Sequence, residues 1–303
     1  MLHLHLFGAV SFSIDALGAP ALTHVGGRPG CLLAYLALAR GRYFSRGELV
    51  SVLWPDPVDQ RGVGTFNTVL WRLRKLVERP PLAQGELIAC DRCGAVGLHP
   101  MAPLQLDVDR FAQLVLPVLA KPLEAMSADD VDALRSGIEI YTADILTDLS
   151  DDWALREREK HRRHYLNALG RMMQMCTLAR EHEAAIGYAQ AILDHDALRE
   201  DVHRELMRLF LHTGQRALAL RQFEICRAAL KRELAIQPMP ETFALYRGMT
   251  QDALAGELQA AEPPPLQALL PAGSALTARE LVESARQHLA RADAQLQLSL
   301  PFL

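Results

Sequence analysis

Apolar and polar residues alternate through LHLHLFGAVSFSID at the start of the chain and the pattern breaks at Gly8, which predicts two short antiparallel strands. ALTHVGG predicts a third. Gly26, Gly27, Pro29 and Gly30 then interrupt the pattern, and CLLAYLALARG switches to apolar residues at helical spacing before stopping at Gly41. In FSRGELVSVLWP, Ser45 stands three residues before Glu48, the spacing of a capping box, so a second short helix should open there and close at Pro55. A third helix is predicted at TFNTVLWRLRKL, residues 65–76. Phe66, Val69, Leu70, Leu73 and Leu76 make one apolar stripe there, while Thr65, Thr68, Trp71, Arg72 and Lys75 fall away from it. After PPLAQGE, the segment LIACDRCGAVGL predicts two strands joined by a turn at Asp91 to Gly94.

Short strands, three helices and a closing hairpin are the element order of a winged helix-turn-helix. In that arrangement the third helix enters the major groove and the hairpin lies beside the backbone or minor groove. From Asp107 onward strand signals vanish and helical periodicity takes over, through DVDRFAQLVLPVL, DDVDALRSGIEIY, a long stretch from Asp152 to Ala179, and shorter helices to about Asp252. Shifting the chain by 34 residues aligns Ala185 with Ala219, Ile186 with Leu220 and Ala189 with Phe223, the period of tetratricopeptide repeats. AEPPPLQALLPAG reads as a proline-broken linker, and an amphipathic segment follows. The expected fold is therefore α with small β: a winged helix-turn-helix over residues 1–100, tetratricopeptide-like helices over 104–252, a linker over 253–275 and a C-terminal helix over 276–303.

Composition narrows the function classes. The 303 residues, half of them apolar, suffice for real cores. The net charge of -4 conceals an asymmetry: residues 1–100 hold ten Lys and Arg against seven Asp and Glu, and the remainder 22 against 29. A mildly basic N-terminal part with an acidic remainder suits a nucleic-acid-binding module joined to a partner-binding one. The longest apolar run, near Leu32 to Ala39, is too short to span a bilayer, and no charged-then-apolar leader opens the chain. Five scattered cysteines fit a reducing compartment, so a cytoplasmic protein without membrane contact is expected.

Other conspicuous residues read more plainly. Cys90 and Cys93 have a spacing that suits zinc or a redox pair. A closed zinc site needs four ligands and no second pair follows, so a hairpin turn carrying two thiols is the expectation. His161 and His164 share a helix face with Glu157, but REREKHRRH reads more simply as a solvated or partner-facing surface. His3 and His5 point to one side of a strand. A glycine-rich phosphate loop, a GxSxG elbow and an HExxH pair are all missing, so no catalytic residue, metal or cofactor is expected.

Four runs in order, SRGELVSVLWPD with VLWRLRKLVE, LDVDRFAQLV, IYTADILTDLSDDWALREREKHRRHYLNAL, and RELAIQPMPETFALY, resemble the Streptomyces antibiotic regulatory protein (SARP) type of bacterial transcription regulator. That family places an OmpR-type winged helix before a bacterial transcriptional activator domain. The resemblance covers about residues 1–250, and implies binding of double-stranded DNA at promoter repeats and contact with RNA polymerase. Where the family carries helix-forming and polar residues, this chain has RGVGTF. Gly62 and Gly64 each weaken a helix by roughly 1 kcal/mol relative to Ala, so either the first turn loosens without DNA or base reading shifts toward Asn67, Thr68 and Trp71.

The candidate phosphate contacts are Arg72, Arg74 and Lys75, with Arg42 and Arg46 where the second helix crosses the backbone. Asn67, with a paired donor and acceptor, suits adenine; Thr68 can touch a thymine methyl; Arg92 at the hairpin tip suits the minor groove. Two functions compete: a sequence-specific transcription activator, and an interaction adaptor whose repeats bind a peptide or small effector while the winged helix does not read DNA. A small-molecule or protein effector on the repeats, and a homodimer through the last helix, stay open.

Overall fold

The computed structural model describes residues 1–14, 22–55, 63–80 and 82–260. Strands β1 (Leu2–His5), β2 (Ser11–Ile14) and β3 (Thr23–His24) lead into helix α1 (Gly27–Leu38), strand β4 (Tyr43–Phe44), and helices α2 (Arg46–Leu53) and α3 (Val63–Val77). A hairpin of β5 (Ile88–Cys90) and β6 (Val96–Leu98) follows, then β7 (Leu104–Leu106) and helix α4 (Asp107–Leu119). After α4 the chain is helical: α5 (Ala128–Ile140), α6 (Asp152–Leu178), α7 (His182–His195), α8 (Glu200–His212), α9 (Arg216–Leu234) and α10 (Pro240–Ala260). This is the expected fold class, a winged helix-turn-helix with small sheets followed by all-α repeats.

Two strands escape the periodicity. β4 has only two residues and joins the hairpin in a sheet of order β4-β6-β5. β7 lies parallel to β1 at the edge of a sheet of order β3-β2-β1-β7. Both are too short to show alternation, and pairing with distant residues alone defines them.

The glycine-proline cluster that interrupts the strand pattern does more than precede the helix: Gly26 is the N-cap of α1, and Gly27, Pro29 and Gly30 lie in its first turn. Pro29 is tolerated there because first-turn N–H groups have no intrahelical acceptor. Gly30 is required by packing, since a Cβ at that position would lie 1.9 Å from the carbonyl oxygen of Val25. The capping box of α2 is present as predicted: Ser45 Oγ accepts from the N–H of Glu48 at 3.2 Å and Glu48 Oε2 accepts from the N–H of Ser45 at 2.7 Å.

Residues Met1–Phe243 form one compact unit, and residues from Ala244 a second. Within the first unit the core is continuous from Leu2 to Met172 and crosses the expected domain boundary near residue 100 without a gap. Phe7 of the N-terminal sheet packs its ring against Phe111 and Tyr141, with centroids 5.4 and 4.8 Å away. Tyr35 of α1 meets Trp153 of α6 edge-on at 5.2 Å. Polar contacts fasten the same seam: Arg28 Nη1 pairs with Asp151 Oδ1 at 3.0 Å, and Asp107 accepts from the N–H groups of Leu6 and Phe7 at 2.9 and 3.0 Å.

The run REREKHRRH is a correction. The spacing of Arg158, His161, Arg162 and Tyr165 by three and four puts them on one face of α6, and that face is turned inward rather than solvated. His161 is 6% exposed. Arg158 donates to the carbonyls of Ile145, Leu146 and Leu149, and Arg162 pairs with Asp144. Among the described residues no group of three or more His, Cys, Asp or Glu can hold a metal ion, and no helix is long and apolar enough to cross a membrane.

The repeat persists in three dimensions. At the α6 to α7 turn the N–H of Glu181 donates to the carbonyl of Cys176 at 2.8 Å, and at the α8 to α9 turn Gln215 donates to Phe210 at 2.7 Å, a shift of 34 at both ends. Arg180 and Gly214, also 34 apart, take the same left-handed conformation with φ of 61° and 72°. Ala185, Ala219, Ala189 and Phe223 are all buried where the helices cross. α10 continues to Ala260, eight residues into the stretch expected to be linker. Residues 261–303, with the rest of that linker and the C-terminal amphipathic segment, lie outside the described residues.

Buried polar groups stitch the repeats together. His203 Nε2 is hydrogen-bonded to the Ala197 carbonyl at 3.1 Å and its Nδ1 to Gln222 Nε2 at 2.6 Å, which requires a neutral ring with the proton on Nε2. Burial holds His161, His164 and His203 below the usual 6.5. The unfolded chain therefore takes up protons before the folded one, and the contribution of these rings is complete above 6.5 and lost as pH falls through the lower folded values. The melting temperature should fall steadily from roughly pH 7.5 to 5.5, a window in which carboxylates are still ionised. A flat profile there would refute this account of the three rings.

Candidate nucleic-acid interface

α3 is two-faced because its apolar residues recur at three and four. Phe66, Val69, Leu70, Leu73 and Val77 are buried against α1 and α2, while Leu76, placed on the same stripe, is half-buried. Fully burying such a side chain stabilises by roughly 1.5–3 kcal/mol, so the stripe dictates which face points outward. Asn67, Thr68, Trp71, Arg72 and Lys75 lie on the outward face and are exposed; Thr65 is half-buried. Trp71 is 58% exposed, which is unusual for an indole on a helix with a buried stripe available. Lys75 Nζ sits 5.1 Å from the centre of the Trp71 ring, a cation–π contact that orders both side chains.

Arg74 behaves differently from its neighbours. Its Nη2 donates to the Ile88 carbonyl at 3.2 Å and lies 3.5 Å from Cys90 Sγ, while Glu78 Oε1, one turn later, accepts from the Ile88 N–H at 3.0 Å. The two side chains clamp both polar groups of one wing residue and set the angle between α3 and the hairpin. Arg46 is the exposed first residue of α2. Arg42, exposed just before that helix, has its Nη2 3.9 Å from Glu48 Oε1 and its guanidinium over the Phe44 ring at 4.6 Å. Hydrogen bonding to Ser45 holds the Glu48 carboxyl below its usual range. Arg92 is exposed in the hairpin turn, which Asp91 organises by accepting from the N–H groups of Cys93 and Ala95 at 2.9 and 2.8 Å.

A groove of about 380 Å³ gathers Arg46, Asn67, Trp71, Arg74 and Lys75, all named from sequence, with Glu78 and Gln84. Thr65, Thr68, Arg72, Arg42 and Arg92 do not line it. Thr68 Oγ1 donates to the Gly64 carbonyl at 3.1 Å, leaving its methyl and lone pairs for any ligand. Gly64 stands inside α3, whereas Gly62 lies outside the described residues. Glu78 and Gln84 were missed by sequence reasoning. The spacing of Glu78 four residues after Arg74 was a signal for the first, and nothing local marks the second.

Geometry and topology define a winged helix-turn-helix protein with an appended helical repeat domain. The bacterial transcriptional activator domain family matches residues 106–249. Regulatory protein AfsR of Streptomyces coelicolor is 27% identical over 235 residues, covering 76% of this chain, and that of Streptomyces griseus 25% identical over 234 residues. The chain spans 23% of the length of each of these curated relatives. The solved structure of Mycobacterium tuberculosis EmbR in complex with a low affinity phosphopeptide superposes with a TM-score of 0.64 at 18% identity, over 86% of this chain and 70% of that one, a likeness of fold. The chain resembles the SARP type of regulator, and its match to the bacterial transcriptional activator domain lies behind the winged helix.

Proposed function

We propose that the chain is a sequence-specific DNA-binding transcription regulator, acting as an activator in the cytoplasm. α3 lies in the major groove, with Arg72 and Lys75 on phosphates and Asn67, Thr68 and Trp71 at base edges. Arg42 and Arg46 approach the backbone at the start of α2, and Arg92 approaches the adjoining minor groove. The helical domain serves as the surface for RNA polymerase and for an effector. The observation that carries this reading is the outward face of α3: it joins an exposed indole, an amide and two exposed cations on a helix locked to its wing by Arg74 and Glu78. A structural helix gains nothing from that composition.

Fluorescence anisotropy of the full chain on labelled DNA from upstream of its own gene tests the reading. Binding should weaken steeply as salt rises and should exceed that to unrelated DNA of equal length. Equal affinity for both DNAs, or none, would remove the sequence-reading function. The adaptor alternative draws on a second groove, of about 410 Å³, where Ile186, Phe210, Leu218 and Ile225 meet Glu183, Gln190 and Arg221 across the repeats. Leu218 and Ile225, 41% and 48% exposed, suit an apolar partner segment there.

A further inference from the structure

The five cysteines divide by environment. Cys31, Cys176 and Cys226 are buried. Burial pushes their thiols up, Cys31 to about 12 and Cys226 to about 11, so they stay protonated and enclosed. Cys90 and Cys93 are both exposed, and both stand at the tip of the wing. Cys90 ends β5, Cys93 lies in the turn that leads to β6, and only Asp91 and Arg92 separate them.

The turn is tightly specified. Besides the two bonds to the Asp91 carboxylate, the Gly94 N–H donates to the Asp91 carbonyl at 3.1 Å, and the Asp91 N–H donates to Ala95 at 2.9 Å. The reversal runs from Asp91 to Gly94, with Cys90 the strand residue just before it and Cys93 its third position, so three peptide steps separate the two Cα atoms that a disulfide would hold roughly 4.4–6.8 Å apart. Arg74 Nη2, the nitrogen that holds the Ile88 carbonyl, is also the one 3.5 Å from Cys90 Sγ. The state of that sulfur is thus mechanically linked to the clamp between wing and α3.

We propose that Cys90 and Cys93 are a modification site, a dithiol that a hydroperoxide oxidises to an intramolecular disulfide. In the first step one thiolate attacks the peroxide, forming an S–O bond and breaking O–O; sulfur is oxidised to the sulfenic acid, and the peroxide is reduced to water or an alcohol. The second thiol then displaces hydroxide, which leaves as water with the thiol proton, and the S–S bond closes. Closure withdraws Cys90 Sγ from Arg74 and redirects the Asp91–Arg92 tip. The loss of DNA affinity that follows rests on the function proposed above; formation of the disulfide does not.

The full chain is treated with hydrogen peroxide, denatured, alkylated and mapped by mass spectrometry. The peptide holding both residues should be two hydrogens lighter and unalkylated, Cys31, Cys176 and Cys226 should remain alkylated, and dithiothreitol should reverse the change. In Cys93→Ser, Cys90 should stop at a sulfenic acid that dimedone captures. Both sulfurs still alkylated, a disulfide between two chains, or a stoichiometric zinc ion on the pair would each overturn the proposal. In parallel, DNA affinity of the wild type should fall roughly tenfold on oxidation, the worth of about one charge-assisted contact, and recover on reduction. Cys93→Ser should lose far less. A disulfide that forms without changing DNA affinity overturns the link to α3, whereas a reduced protein that binds no DNA defeats the functional reading and leaves the dithiol result standing.

Discussion

Replacing Arg72 and Lys75 together by alanine is expected to weaken binding to the upstream DNA roughly a hundredfold near 0.1 M salt and to lower the salt slope by roughly 1.8. Each cation that neutralises a phosphate releases about 0.9 of a condensed counterion, so each lost contact costs close to tenfold at that concentration. Both side chains are exposed, and Lys75 is additionally ordered by the Trp71 ring. Arg74→Ala provides the contrast. Its guanidinium is engaged with the Ile88 carbonyl, so this change should loosen the wing while leaving the salt slope close to that of the wild type. Unchanged affinity and slope in the double variant, with the fold intact, would take α3 out of the interface.

The second large effect is expected at Asp107, in the LDVDRFAQLV run. Its carboxylate accepts from the N–H groups of Leu6, Phe7 and Val108 at 2.9, 3.0 and 2.8 Å, joining the first residue of α4 to the end of β1 across about a hundred positions of sequence. Burial pushes the Asp107 carboxyl up, and the N–H groups of Phe7, Leu6 and Val108 oppose it by favouring the charged form. Asp107→Ala leaves donors at the seam without an acceptor and should destabilise by about 3–4 kcal/mol. That corresponds to a melting temperature about 10 °C lower for a unit of this size. Asp107→Asn keeps one acceptor oxygen and should lose about half as much. Denaturant titration of the three proteins checks this, and an alanine variant within about 1 kcal/mol of wild type would show that the seam is held by its apolar contacts alone.

Residue spacing determined a good deal of this protein. Period-two alternation placed β1 and β2, the Ser45-to-Glu48 spacing placed the start of α2, and the stripe from Phe66 to Leu73 decided which face of α3 is outward. The 34-residue shift anticipated the matching turns at Glu181 and Gln215. These features depend on contacts within a few residues, or on one unit repeated, so local sequence carries them. It was silent wherever a side chain chose a partner far along the chain. Arg74 reads as a phosphate contact beside Arg72 and Lys75, yet the wing backbone fourteen residues later captures it. His161 stands in a run of charges, yet the stretch around Asp144 to Leu149 closes over its face of α6. Asp107 reads as an ordinary first-turn acid, and only the return of β7 alongside β1 brings the N–H groups of Leu6 and Phe7 within its reach. For Arg74 and Asp107 the physical reason is the same: a polar side chain goes to whichever backbone group the tertiary fold leaves beside it, and that neighbour is set by packing rather than by its own sequence, while His161 keeps the Glu157 carbonyl of its own helix and is enclosed by packing alone.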